Sequence, residues 1–177
     1  TKQNDTYKPF NISQMEFTSM PKNLNSDSEN HYINDSYDLL TGKIPTEKNE
    51  LLLVVDSKNR ISEEILTALG IDVSDESISF DDVIGTELKL VFNDEYYKPI
   101  GNYFTLNTDF ASLYHSKNAL TLKVVGIIRG KEDKTLLSST SGLWYTNDLV
   151  EYVVSQNINS HIVKMQKSVD YNVLTGE

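Results

Sequence analysis

No cysteine occurs among the 177 residues of this chain. That absence removes disulfides, thiolate catalysis and Cys-based zinc sites together, and leaves the chain indifferent to the redox state of its compartment. Nor is there any run approaching the ~18 apolar residues that a membrane-spanning helix needs. Basic residues are scarce, with 16 Lys and Arg against 26 Asp and Glu and a formal charge of −10. Nucleic acids are held by clustered positive charge, so no nucleic-acid partner is expected. The acidity reads as solubility. The nucleophile pattern G-x-S-x-G and the phosphate-cradling G-x-x-x-x-G-K are both missing, as are internal repeats and low-complexity tracts. The chain opens at Thr1 without a Met or a signal peptide, which reads as a segment cut from a longer protein.

What is present suffices for one domain. A chain of this length buries roughly 70% of its unfolded surface and needs no staple. Its organising stretch is 119–130, ALTLKVVGIIRG. Leu120, Leu122, Val124 and Ile128 fall on one side of an extended chain, and Thr121, Lys123 and Arg129 on the other. That period predicts a strand with a buried face. Val125 and Ile127 interrupt the polar side, so its end is expected to be covered on both faces. Gly126 marks a bulge or a close approach of another group. Glu87 to Phe92 alternates in the same way and is the expected partner strand.

Elsewhere, 51–55 (LLLVV) is a short apolar run, the pattern of a strand buried on both faces. After a turn at 56–60, Ser62 fits a helix N-cap, with Glu63 and Glu64 in the first turn and Gly70 as the stop. Thr146 or Asn147 caps a second helix carrying a stripe of Leu149, Val150, Val153 and Val154, ended by 157–159. An edge strand is expected within 11–20, loop over 21–30, and a turn over 41–45. Residues 78–80 read as a brief strand, 81–84 as a helical turn and 93–95 as a turn. Further strands are expected at 103–106 and 162–165, with a tail from 171, while 107–118 is ambiguous. The order predicts an α+β fold, a single mixed β-sheet with two short helices packed on it. Residues 1–30 read as an extended or partly disordered N-terminal arm, and 31–177 as the domain.

Chemistry-bearing residues are present but scattered. His31, His115 and His161 are isolated, and zinc needs three or four converging ligands. Residues 56–61 begin like a calcium loop, yet Lys58 and Arg60 occupy positions where oxygen ligands belong. Asp75-Glu76 and Asp81-Asp82 have the residue types for paired-acid hydrolysis, although helix starts and solvated loops explain them as well. Residues 138–142 form an ordinary Ser-rich loop. No catalytic, cofactor-binding or metal-ligating residue is expected, and no cofactor. Tyr96, Tyr97, Tyr103, Tyr114, Trp144 and Tyr145 are either strand and core-edge aromatics or a platform for sugar or peptide.

Several stretches, in order, resemble a known family. They are 37–45 (YDLLTGKIP), 48–56 (KNELLLVVD), Ile84-Gly85-Thr86, 122–129 (LKVVGIIR), 142–146 (GLWYT), 149–154, 162–167 (IVKMQK) and 173–176 (VLTG). Together they are similar to the extracellular domain of Gram-positive ABC transporter permeases of the MacB-like and FtsX-like type. The resemblance covers about residues 37 to 176 and carries over no catalytic residue. It implies a non-enzymatic domain on the extracellular side of the cell membrane. Its partners are then the rest of the permease, a cytoplasmic ATPase subunit, and an accessory extracellular protein or the substrate. The alternative from another class is a secreted or surface-anchored module binding glycan or peptide; a small hydrolase using the scattered acids stands third.

Overall fold

A computed structural model describes residues 1–3, 5–10, 16–21, 31–74, 77–132 and 141–177. In chain order, β1 (Lys2–Gln3) and β2 (Thr6–Tyr7) form a small ribbon, followed by β3 (Phe17–Ser19), α1 (His31–Ser36), β4 (Tyr37–Gly42) and β5 (Glu50–Val55). Then come α2 (Glu63–Ala68), α3 (Phe80–Val83), β6 (Glu87–Leu90), α4 (Asn93–Tyr96), the hairpin β7 (Tyr97–Ile100) and β8 (Tyr103–Leu106), and α5 (Phe110–Tyr114). The chain closes with β9 (Leu120–Gly130), β10 (Gly142–Tyr145), α6 (Asn147–Asn157) and α7 (His161–Ser168). The α+β class expected from the sequence is observed. Seven helices appear among the described residues where two were expected, and two-stranded ribbons stand beside the main sheet.

That sheet runs β3-β10-β5-β9-β4, with β6 also paired to β9. β5 lies parallel to β9, and β10 parallel to β3, while the remaining pairs are antiparallel. The apolar run of β5 is buried on both faces, Leu51 to Val55 being no more than 3% exposed. Leu51, Leu53 and Val55 enter one core with Leu122, Val124, Leu143 and residues of α2, α3 and α6. Leu52 and Val54 enter a second core on the opposite face with Ile33, Tyr37 and Trp144. A third, smaller core joins Phe104 of the hairpin, Ile162 of α7 and Val173.

The organising strand departs from its expected register in the middle. Leu51 of β5 pairs with Val124, but Leu52 pairs with Gly126, so Val125 is an extra residue in β9. Such a bulge exchanges the two faces of the strand beyond it. Val124 and Ile128 are both fully buried, as expected, yet they occupy opposite cores, and Ile127 takes the place beside Leu53. Gly126 serves a bulge and a close approach at once. A Cβ built on it would lie 2.1 Å from the backbone oxygen of Lys43, and the Lys43 N–H donates to the Val125 oxygen at 3.0 Å. Gly42, with φ of +75°, lies across from it. The turn expected over 41–45 accordingly begins later, since Thr41 and Gly42 still belong to β4.

The two expected helices form for the reasons foreseen. The Ser62 hydroxyl accepts from the Ile65 N–H at 3.4 Å, and Gly70 closes the helix with φ of +82°. Thr146, not Asn147, caps α6, accepting from the Leu149 N–H at 3.3 Å. Its stripe is only half used, because Leu149 is buried whereas Val150 and Val154 are 43% and 54% exposed.

Four expectations are corrected. Residues 162–165 are helical within α7, because Ile162, Met165 and Val169 recur at three and four and pack on the third core. The segment from Tyr171 is packed, with Val173 buried and its oxygen accepting from the Phe104 N–H at 2.9 Å. Phe80 opens α3 in place of a strand, since Ser79 and Asp82 form a reciprocal capping box. Residues 93–96 make a helical turn, α4. The ambiguous 107–118 contains α5, capped by Asp109. Within the expected edge strand, β3 forms at Phe17–Ser19, while 11–15 and 22–30 lie outside the described residues.

Candidate functional site

Among the described residues, the histidines and acids noted in the sequence form no common cluster. Tyr7 Oη and His115 Nε2 are hydrogen-bonded at 2.8 Å. The backbone N–H of His161 donates to Asp94 Oδ1 at 2.8 Å, and its Nδ1 lies 3.7 Å from the same oxygen on an exposed surface. His31 opens α1 far down the chain from both. Asp81 and Asp82 lie in the first turn of α3, where Asp82 accepts from the Ser79 N–H at 3.2 Å. Asp75, Glu76, Ser138, Ser139 and Thr140 lie outside the described residues. Among the described residues no group of three or more His, Cys, Asp or Glu is placed to hold a metal ion.

The 56–61 segment uses its own carboxylate. Asp56 Oδ1 accepts from the backbone N–H groups of Lys58 and Arg60, each at 2.8 Å, and Oδ2 pairs with Arg60 Nη2 at 2.8 Å. Burial pushes this carboxyl up, but the Arg60 and Lys58 donors outweigh it and the net shift is downward. Glu50 follows the same pattern: burial raises it, while the Lys43 ammonium and the N–H groups of Thr46 and Glu47 bring it below the usual range. A carboxyl depressed in the folded state stabilises above its unfolded pKa of about 4, and that contribution is lost as pH falls through the folded value. Stability is therefore expected to drop over the acid window that opens below about pH 4. Urea titrations of wild type and Asp56→Asn on either side of that window check this, because the variant should lose less on acidification.

The aromatic residues do not form one platform. Tyr37 and Trp144 pack edge to face at 5.4 Å inside the second core, where burial pushes the Tyr37 hydroxyl up to about 12. Tyr145 packs at a tilt against Phe17 at 4.7 Å, and Phe17 packs edge to face with Phe10 at 5.3 Å. Tyr103 pairs with Tyr171 at 5.6 Å, and Tyr97 with Tyr96 at 5.2 Å. Of the six aromatics singled out in the sequence, Tyr96 and Tyr114 line a common cavity.

That cavity, with a volume of about 260 Å³, brings aromatic and lysine side chains together and is the candidate site. Its walls include Lys8 and Phe10 from the segment after β2, Lys89 from β6, Tyr96 from α4, and Phe110 and Tyr114 from α5. Leu88 and Leu90 turn into the first core, which sends the intervening Lys89 to the other face. There its ammonium hydrogen-bonds the hydroxyl of Thr121, its cross-strand partner, and stands 5.6 Å from the centre of the Tyr114 ring. Tyr114 packs on Tyr7 at 5.0 Å, and Tyr7 is held in turn by His115. Asn107 braces Tyr96, its N–H donating to the Tyr96 oxygen at 2.7 Å.

Chemically this arrangement offers apolar and aromatic faces with two lysines among the lining residues, the Lys89 ammonium lying near the Tyr114 ring. Lys8, Phe10, Lys89 and Phe110 were not singled out in the sequence. The one local signal was the alternation that sets Lys89 apart from Leu88 and Leu90; the rest is brought together by the fold. Comparison of the chain with protein-family models, curated proteins and solved structures finds no match.

Proposed function

We propose that this chain is a non-enzymatic extracellular domain of an ABC transporter permease of the MacB-like and FtsX-like type. In this role it contacts substrate or an accessory protein and couples that contact to the membrane helices during export. One observation supports the reading above the others. Four of the eight stretches that carry the resemblance are neighbours in space: 37–45 contains β4, 48–56 contains β5, 122–129 lies in β9 and 142–146 contains β10. They occupy consecutive places in one sheet, β10-β5-β9-β4. The likeness therefore follows a packed unit and not a scatter of strand-like words. A sheet packed on both faces moves as a body, which suits a part that passes displacement from one surface to another. No described helix is long and apolar enough to cross a membrane; the proposal assigns the spans and ATP hydrolysis to other segments and subunits.

A cross-link tying this domain to its neighbour in the intact permease should stall export while the ATPase subunit remains expressed. Undiminished export with the domain locked or deleted would overturn the reading. A glycan- or peptide-binding surface module ranks second, because the aromatic pairs are dispersed. A parent protein with a signal peptide and wall anchor, in place of membrane spans flanking this segment, would reverse the ranking.

A further inference from the structure

We propose that the cavity between the segment after β2 and the α4–α5 wall binds a small aromatic carboxylate. Its ring would lie among Phe10, Tyr96 and Phe110, with its carboxylate at Lys8 and Lys89. The two cations are the leading argument. In a chain of net charge −10, none of the described residues lining this cavity is acidic, while two are lysines. Neither lysine forms an ion pair among the described residues. Lys89 spends one donor on the neutral Thr121 hydroxyl, and its other two meet no acceptor among the described residues. A lysine ammonium with no ionic partner among the described residues, at the edge of an apolar hollow, favours an anion beside it.

Size and shape narrow the class. At about 260 Å³ the space falls just below the roughly 300–1,000 Å³ of sites for drug-sized ligands, which suits a single ring with a short acidic arm. Aromatic walls favour an aromatic body through edge and stacking contacts. Two ammonium point charges suit a monoanion; phosphate sites more often add a guanidinium fork or a nest of backbone N–H groups. The walls are also pre-organised. Lys89 is held by Thr121, Tyr114 by Tyr7 and Tyr7 by His115, so little ordering remains to oppose binding. This inference concerns the domain alone and does not rest on the permease reading.

The test is a titration of the ¹⁵N-labelled chain with 3-phenylpropionate and, separately, with its neutral analogue 3-phenylpropanol. The acid should give saturable shifts confined to amides around Phe10, Lys89, Tyr96 and Phe110, and the alcohol should bind about tenfold more weakly. Lys89→Gln should weaken the acid about tenfold and leave the alcohol unchanged, while Phe110→Ala should weaken both. If Phe110→Ala loses the folded spectrum, Phe110→Leu takes its place. Equal affinities for acid and alcohol, an unaffected Lys89→Gln variant, or shifts scattered over the surface would overturn the proposal. None of these outcomes bears on whether a locked domain stalls export.

Discussion

Val124→Asp should cost about 3–5 kcal/mol of folding stability, enough to unfold much of the population of an ordinary domain. Val124 has no exposed surface and sits in the first core with Leu51, Leu53, Leu122 and Leu143. Its N–H already donates to the Thr86 oxygen at 3.0 Å, so the backbone is committed there and cannot turn the carboxylate outward cheaply. The informative control is the next residue back. Lys123 is exposed, and Lys123→Gln should cost about 0.5 kcal/mol or less. Gln is preferable to Asp at this position because Lys123 lies between Glu50 and Glu87, its cross-strand neighbours, and a third acid would add repulsion. Thermal and urea unfolding of the two variants should diverge strongly. Equal losses would mean that the face assigned to Val124 is wrong.

Gly126→Ala is the second large effect, on the order of 3 kcal/mol for a single added methyl group. A Cβ at this position would fall 2.1 Å from the Lys43 oxygen and 3.0 Å from Leu52 Cδ1. The first contact is with backbone that is itself fixed by the Lys43–Val125 hydrogen bond, so relief requires β4 to separate from β9. Gly101→Ala provides the comparison. It has φ of +57° but nothing within 4 Å of the added atom, so only the backbone preference is lost, about 1 kcal/mol. A melting temperature for Gly126→Ala no lower than that of Gly101→Ala would show that β4 and β9 do not approach so closely.

These two positions also mark where the sequence stopped being readable. The run through Leu122 and Val124 alternates cleanly, and its strand and core face follow from that pattern alone. From Val125 the sequence is apolar at nearly every position, so periodicity no longer distinguishes the faces, and the change of register is set by contact with β4. The helix from Glu63 to Ala68 was legible because a cap, two early acids and a terminal glycine agree. Ile162 and Val163 misled in the opposite way: β-branched neighbours suggest a strand, but Phe104 and Val173 offer a surface that a helix fits. The strand Gly142–Tyr145 follows a Ser-rich stretch and is too short to show a period. The cavity was least legible, since Lys8, Lys89 and Phe110 meet only through pairings remote in the chain.

The position of β9 in the sheet also has a kinetic consequence. It pairs β5 on one side, and on the other it pairs β6 along its first half and β4 along its second. All three partners precede it in the chain, so none can reach its native neighbour until Leu120 to Gly130 has been made. Pairing across such separations closes large loops before it gains contacts, which places folding on the order of milliseconds to seconds and not microseconds. Until then the apolar strand Glu50–Val55 waits without its central partner, the condition in which strand-rich intermediates aggregate. The same strand that holds the finished sheet together is thus the step on which its assembly waits.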